Sequence, residues 1–376
     1  MTSNPRRPRG GLRLWPVGTV LALTFTAAMA VATAVFFAGW DLLGARSLKP
    51  ERQLTSSTLF DLVKLAFGVV AGAGALVALV VAYRRQRVDE DGALRESTRL
   101  HTERFTSAVS QLGDESPAVR LGGVHALAGL ADDAPTRELR QTCIDVLCAY
   151  VRLPYTAESD IPPNDTAARH SYMSLREVRH TVIRLIRDHL RLGTDRPHSW
   201  QGHDFDFTSA VFDGGDFSEA KFHRGTVDFS NASFVAGTVT FLFASFVGEG
   251  GGVFRNASFA GGTVTFAGAS FNGTGFDEIT IDFGGASFAG GTVDFNNASF
   301  KGGNINFRNA SFEGSTVIFR EAYFSHRTVD FWRTNFNSGT IDFSRARGAV
   351  PDGLVPPNGV SLPTGLTIPP AWRQTP

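Results

Sequence analysis

Phenylalanine recurs on a regular grid between residues 203 and 346. Twenty-four positions from Phe207 to Phe343 carry it, at first five residues apart and then in steps that alternate mainly between five and seven. Two residues before each Phe there is usually a small or β-branched residue, as in Ala232, Val239 and Ile305. Because alternate residues of an extended strand face the same side, each Phe and the residue two before it are predicted to point inward together.

The residues between these inward pairs are short and polar, with many Gly, Asn and Ser. Gly and Asn tolerate the left-handed backbone of tight turns, so the chain is predicted to turn a corner after each pair. Four sides would close one coil, coils would stack at about 4.8 Å, and twenty-four sides would make six coils. A three-sided coil of 17 or 19 residues is the competing geometry.

One interval breaks the alternation. The step from Phe271 to Phe276 has five residues where a longer step is due. If Phe276 forms an extra side, the long steps fall on a different corner from there on. The extra residues of the long steps should bulge outward and form two ridges on opposite corners of the coil. These ridges are then expected to move by one corner after Phe276.

The opening units of the grid, Ala210-Val-Phe212, Gly215-Asp-Phe217 and Ala220-Lys-Phe222, share one spacing. With these units, residues 203–346 resemble the pentapeptide repeat family of bacteria. The resemblance implies a right-handed quadrilateral β-helix, although the later alternation of steps departs from the family's spacing. Some members of that family imitate the DNA duplex and protect DNA gyrase, which makes a DNA mimic acting on a topoisomerase the alternative function.

Residues 84–202 are predicted to be helical. A charged stalk should run from Arg84 to about Leu112, followed by helices over 117–130, with Ser116 as N-cap, and 137–153. Residues 117–153 also resemble an armadillo/HEAT-type pair in the run 118–130. Residues 154–172 are predicted to be a loop, and 174–192 a third helix capped by Ser174 with Glu177 three residues later.

The first 83 residues contain two long apolar stretches, 14–40 and 59–83. Trp15, Trp40 and Tyr83 stand near their ends, as interfacial aromatics do. Nine Lys or Arg flank the pair on the outer sides and three lie in the loop 41–58, so 1–13 and the C-terminal domain are predicted to be cytoplasmic. Cleavage after Ala30 as a signal peptide is the alternative for the first stretch, and it leaves the large domain in the cytoplasm.

The net charge and the two cysteines limit the functions that the sequence supports. Net charge is zero, and 203–346 holds 15 acidic against 9 basic residues, so no direct nucleic-acid binding is expected. The two cysteines, Cys143 and Cys148, are predicted to be buried hydrophobes. Gly68-x-x-x-Gly72 offers a face for close helix packing against Ala28 and Ala32, or it reflects the abundance of Gly and Ala in membrane spans.

The sequence reveals no catalytic constellation. Neither a phosphate loop nor a metalloprotease or serine hydrolase motif occurs, and His180 and His189 are predicted to lie on opposite sides of one helix without further ligands. No catalytic, cofactor-binding or metal residue is therefore assigned.

The sequence thus predicts an α+β multidomain protein with two transmembrane helices, an α-helical middle domain (84–202) and a right-handed quadrilateral β-helix (203–346). The expected function is that of a non-enzymatic scaffold in the cell membrane that binds an unknown protein partner, with homo-oligomerisation left open. The Pro-rich tail 347–376 either caps the last coil, with Trp372 as a plug, or is disordered.

Overall fold

The computed structural model describes residues 17–42, 56–247, 251–272, 279–302, 304–325, 329–356 and 361–373. The chain divides into two compact units, Met1–Glu96 and Ser97–Pro376. Residues 1–13 and most of the predicted external loop 41–58 lie outside the described residues.

The first unit contains helix α1, Val17–Leu42, and the first part of helix α2, Ser56–Leu112. Within the described residues, α2 is long and apolar enough to cross a membrane, whereas α1 holds a shorter apolar stretch, Phe25–Ala38. Since α2 continues without a break to Leu112, the predicted helical stalk is confirmed.

A cleft of about 720 Å³ between α1 and α2 is lined by Ala32, Gly68 and Gly72 among others. A Cβ added at either glycine would meet no described atom within 4 Å. Close packing of α1 on the two glycines, one of the two interpretations of this motif, is therefore not seen among the described residues. At the other end of the cleft, Lys64 pairs with Asp61 at 3.4 Å.

The second unit begins with three helices after α2: α3, Pro117–Asp132; α4, Arg137–Arg152; and α5, Thr166–Arg191. The first two match the predicted helices closely. The predicted start of α5 is wrong: Asp165, whose side chain accepts a hydrogen bond from the Ala168 amide at 2.8 Å, is the N-cap, and Ser174 lies inside the helix. Ser116 does occupy the N-cap position of α3, but its side chain makes no capping bond.

The rest of the second unit is a parallel β-solenoid of about six turns with four sheets, called faces A to D. Each face contains one strand per turn, and face C has one additional strand from the tail. Face A contains β1 Phe205–Asp206, β5 Val227–Asp228, β9 Gly252–Val253, β13 Ile279–Asp282, β17 Asn304–Asn306 and β21 Val329–Asp330. Face B contains β2 Val211–Phe212, β6 Ser233–Phe234, β10 Ser258–Phe259, β14 Ser287–Phe288, β18 Ser311–Phe312 and β22 Asn335–Phe336.

The other two faces have the same arrangement. Face C contains β3 Gly215–Asp216, β7 Thr238–Thr240, β11 Thr263–Thr265, β15 Thr292–Asp294, β19 Thr316–Ile318, β23 Thr340–Asp342 and β25 Leu366–Thr367. Face D contains β4 Lys221–His223, β8 Ser245–Val247, β12 Ser270–Asn272, β16 Ser299–Phe300, β20 Tyr323–Phe324 and β24 Arg347–Gly348. Neighbouring strands pair in parallel, and Thr263 for example lies in register with Thr238 and Thr292. The pairing of β13 with β17 contains one register shift, between Ile279 and Ile281.

The Phe side chains fill the axis in four columns. Phe229 stacks on Phe207 with ring centroids 5.1 Å apart and on Phe254 at 4.8 Å, which confirms four sides per turn and excludes the three-sided geometry. Columns A and C also meet edge to face, as Phe254 and Phe266 do at 5.6 Å and 85°. Such edge contacts are favourable for aromatic rings, and the rings of both columns are buried.

The step lengths reflect the identity of the faces. Where a five-residue step leads to a Phe of face B or D, the inward residue two before that Phe is small, as in Ala232, Ala257 and Ala298. Where a longer step leads to a Phe of face C or A, that residue is larger, as in Val239 and Ile305. All five are at most 1% exposed, so the predicted inward position two residues before Phe is confirmed. Alternating small and larger residues leaves room for the Phe rings.

The corners from A to B and from C to D are tight β-turns. The residue two after the Phe has positive φ, for example 58° at Asn231, 56° at Asn256 and 55° at Asn297. The amide one residue later then bonds back to the Phe carbonyl, as from Ala298 to Phe295 at 3.0 Å. This is a type II turn, which explains why Asn and Gly recur at these corners.

The B to C corners use glycine for a steric reason. Gly262 and Gly291 have φ of 66° and 64°, and a Cβ on either would lie 2.4 or 2.3 Å from the carbonyl oxygen of the glycine one turn earlier. Gly261-Gly262 and Gly290-Gly291 therefore lie at corners of the solenoid.

The predicted shift of the ridges after Phe276 is wrong. Phe283 stacks on Phe254 at 4.8 Å and Phe300 on Phe271 at 5.0 Å, so both columns pass directly from the third turn to the fourth. The long steps stay on the same two corners. Phe276 itself lies outside the described residues. The sixth turn is completed on face D by Gly348, which pairs with Phe324 in place of a further Phe.

Candidate functional site: the two ends and the lateral surface of the solenoid

The first turn of the solenoid is covered by polar side chains of α4 and α5. Arg179 of α5 is 3% exposed, and its guanidinium donates to the carbonyls of Val151 and Val211. Arg191 donates to the Ser218 carbonyl at 2.8 Å, and Gln141 of α4 to that of Asp204 at 2.7 Å. These donors satisfy carbonyl groups at the edge of the first turn, which would otherwise be free to pair with another strand.

Apolar contacts join the same elements. The apolar stripe of α5 is buried at Val178, Val182, Ile183, Ile186 and Leu190. A Cβ added at Gly215 of β3 would lie 3.1 Å from Ile183 Cδ1, so the helix rests directly on the strand. The N-terminal end of the solenoid is thus closed by the helices that precede it in the chain.

A buried carboxylate lies at this junction. Asp213 is 3% exposed, and its side chain accepts hydrogen bonds from the hydroxyls of Tyr155 and Tyr172 at 2.5 and 2.6 Å. Arg176 Nε and His180 Nε2 lie 3.2 and 3.3 Å from it. Burial opposes ionisation, but the hydrogen bonds from His180 and the two tyrosines lower the pKa of Asp213 well below its usual range.

The same environment acts on the tyrosines in the opposite sense. Burial, and then the hydrogen bond to Asp213, raise the pKa of Tyr172 to about 12. The hydroxyls therefore stay protonated and donate to the carboxylate. The cluster connects α5 and the segment that precedes it to the B to C corner of the first turn, and its chemistry is that of a structural anchor.

A second carboxylate organises the helices. Asp132, at the end of α3, lies 3.0 Å from His189 Nε2 and 3.4 Å from His198 Nδ1, and it accepts a hydrogen bond from Trp200 Nε1 at 2.9 Å. The His189 and Trp200 rings stack with centroids 4.0 Å apart. Burial lowers the pKa of His189, but the hydrogen bonds with Asp132 and the Leu185 carbonyl outweigh it, so that the pKa is raised.

The predicted separation of His180 and His189 is confirmed, since they contact different carboxylates. The carboxylates themselves, Asp213 and Asp132, were missed, because neither is near the histidines in sequence. Among the described residues, no group of three or more His, Cys, Asp or Glu side chains is arranged to hold a metal ion. Cys143 and Cys148 are buried and unbridged as predicted, and burial raises the pKa of Cys143 to about 11.

The C-terminal end of the solenoid is closed by the tail. β25 adds to face C beside β23, and the Phe331 amide donates to the Asp352 carbonyl at 2.7 Å. Trp372 is 5% exposed, packs on Phe324 and Phe343 with centroids 5.8 and 5.9 Å away, and donates to the Gly348 carbonyl at 3.1 Å. Of the two predicted states of the tail, the cap is the one observed.

The sides of the solenoid carry a few exposed apolar residues. Phe243 is 59% exposed and Leu242 37%, at a C to D corner whose other described turns carry Ser, Glu, Ala, Gly, Asn or Arg at these two positions. Phe243 also has φ of 55°, which is unfavourable for a bulky side chain. Trp332, 58% exposed, lies on an A to B corner of the sixth turn.

No family model matches this chain, and no curated protein matches it either. The regular stacking of Phe in four parallel sheets is nevertheless consistent with the pentapeptide repeat fold.

Proposed function

We propose that this protein is a non-enzymatic scaffold that is tethered to the cell membrane and binds a protein partner along the sides of its solenoid. α1 and α2 act as two membrane spans with both termini in the cytoplasm. Residues 203–346 form a right-handed quadrilateral β-helix of the pentapeptide repeat kind, and this solenoid presents the binding surface.

The observation that carries the proposal is the closure of both solenoid ends by the chain itself. The arginines of α5 cover the first turn, and β25 with Trp372 covers the last. End-to-end association is thereby blocked, so the four sides are left for a partner. On those sides Phe243 exposes a large apolar ring at a corner whose positive φ suits Asn or Gly, and exposed apolar groups of this kind are typical of interaction sites.

The surface charges support a scaffold over the DNA mimic. Arg255, Arg308 and Arg320 reach across one turn to Asp282, Asp330 and Asp342, with N–O distances of 2.5 to 2.6 Å. Each pair neutralises a carboxylate that an imitation of the duplex would present in place of a phosphate. Aromatic anchors surrounded by polar residues are instead typical of protein interfaces.

The test uses the full chain purified from membranes of its own host, with proximity crosslinking through a photoreactive residue in place of Phe243 or Trp332. A discrete crosslinked partner should appear at Phe243 and disappear when Leu242→Ser is added. Asn297, at the equivalent corner two turns later with φ of 55°, is the matched control position. Equal crosslinking at Phe243 and Asn297 would contradict the proposal.

A further inference from the structure

A basic pocket lies at the junction of the helices and the solenoid, away from the exposed aromatic residues. Its volume is about 330 Å³, and its walls come from three segments of the chain: the first turn of α4, the connection from α5 to β1, and the corner after β4. The polar side chains that line it are Arg137, Thr194, Ser199, Gln201, His223 and Arg224.

The charge of the pocket is not compensated. Arg137 donates to the Gly202 carbonyl, and neither Arg137 nor Arg224 forms an ion pair with any residue that the structure describes. No carboxylate lines the walls. Of the two acidic residues in the connection, Asp195 lies 4.0 Å from Arg196, and Asp204 accepts a hydrogen bond from the Thr226 amide at 2.8 Å.

The surrounding histidines show the same positive potential. Burial, then Lys221 and Arg224, lower the pKa of His223, and burial, then Arg137 and Arg140, lower that of His203 to about 4. Both rings are therefore neutral at pH 7, and the charge of the pocket belongs to the guanidinium groups. The N-terminus of α4, where Arg137 is the first residue, adds partial positive charge.

Arg224 is held in a specific position. Its φ of 61° is unfavourable for a residue with a side chain, and glycine would be the neutral choice at such a corner. The next residue, Gly225, is so close to the backbone of residue 203 that a Cβ would lie 1.9 Å from the His203 carbonyl oxygen. The corner thus lies directly against the segment that enters the solenoid, which brings Arg224 to the pocket that Arg137 lines from the other side.

We propose that this pocket binds a phosphate group, with Arg137 and Arg224 as its charged ligands and the hydroxyl of Thr194 as an additional donor. Guanidinium groups match phosphate oxygens in geometry and charge, and a pocket of this size is at the lower end of the range for small ligands. The phosphate belongs either to a soluble metabolite or to the headgroup of a lipid. Because the walls come from both the helices and the solenoid, an occupant would tie the two together.

The binding test uses the full chain in phosphatidylcholine nanodiscs, titrated with inorganic pyrophosphate by calorimetry at low salt. Arg224→Gln should weaken binding by about tenfold, and Thr194→Glu, which adds a carboxylate at an exposed wall position, should abolish it. Arg333→Gln is the matched control, since Arg333 is an exposed corner arginine with φ of 58° in the sixth turn, remote from the pocket.

Thermal unfolding of each variant shows whether it is folded. If Arg224→Gln does not fold, the loss of pyrophosphate binding in Thr194→Glu tests the proposal instead. Failure of pyrophosphate to bind the wild-type chain at millimolar concentration, or equal losses in Arg224→Gln and Arg333→Gln, would overturn the proposal. Nanodiscs containing phosphatidylglycerol distinguish the two sources. Weaker pyrophosphate binding in them identifies a lipid headgroup as the competitor, and unchanged binding identifies a soluble phosphate.

Discussion

The ring of Phe283 stacks on that of Phe254 with centroids 4.8 Å apart and planes 13° from parallel. Between the two residues the chain completes one turn and also contains the irregular interval after Phe271. The stacking shows that this column of rings is continuous across the interval, and β13 pairs in parallel with both β9 and β17.

Deletion of residues 274–278 should therefore be tolerated. It leaves a step of seven residues between Phe271 and Phe283, the same as the step from Phe300 to Phe307. We expect the melting temperature of the full chain in detergent to change by no more than a few degrees. Deletion of five residues that form a side, 296–300, is the control and should prevent folding. A comparable loss in both deletions would show that Phe276 forms a side after all.

Substitutions at core positions should lower the free energy of unfolding far more than substitutions at corner positions. Phe295→Ala or Phe300→Ala removes a fully buried ring and should lower the free energy of unfolding by about 3–5 kcal/mol. Asn297→Gly keeps the left-handed corner and should change it by less than about 0.5 kcal/mol. Denaturant unfolding of the three variants measures both effects, and similar losses would refute the inward assignment of Phe.

Asp213→Asn should destabilise the junction at neutral pH by about 1.5–3 kcal/mol, because it removes a buried charged acceptor of several hydrogen bonds. The folded-state pKa of Asp213 is lowered from its ordinary value of 3.8. The contribution of ionised Asp213 to the free energy of unfolding is therefore complete above pH 3.8 and is lost as the pH falls below that value. The stabilities of wild type and variant should converge in acid. A constant difference from neutral pH down to pH about 2 would contradict the assignment.

Removal of the C-terminal cap should expose the last turn. Truncation after residue 350 removes Asp352, β25 and Trp372, which cover β21, β23 and Gly348 of β24. Such an edge pairs readily with other chains, so the truncated protein should self-associate in light scattering of detergent-solubilised samples. Trp372→Phe, which retains the ring contacts with Phe324 and Phe343, should keep the association state of the wild type.

The membrane topology can be checked with reporter fusions. A fusion at residue 50 should report the exterior, and one at the C-terminus the cytoplasm, because basic residues flank the two apolar stretches on their outer sides. A cytoplasmic signal at residue 50 would remove the second span from the proposal.

The repeated part of the protein could be predicted from the amino-acid sequence alone. The inward Phe, the small or β-branched residue two before it and the turn-forming Asn and Gly are local features that recur from coil to coil, so each coil supports the interpretation of the others. The helices α3 and α4 were also readable, since a proline and an apolar stripe mark them.

Features that occur only once in the chain depend on long-range contacts and were not predictable from local sequence. The register across the Phe271–Phe283 interval depends on which Phe finds a partner in the neighbouring turn, and spacing alone does not show this. The predicted start of α5 is too late because residues 166–173 lack a strong apolar stripe. Tyr172 is nevertheless buried in this part of the helix, where its hydroxyl donates a hydrogen bond to Asp213. The roles of Arg179 and Asp213 depend on carbonyls and hydroxyls far away in the chain, and these meet only when the helices lie against the first coil.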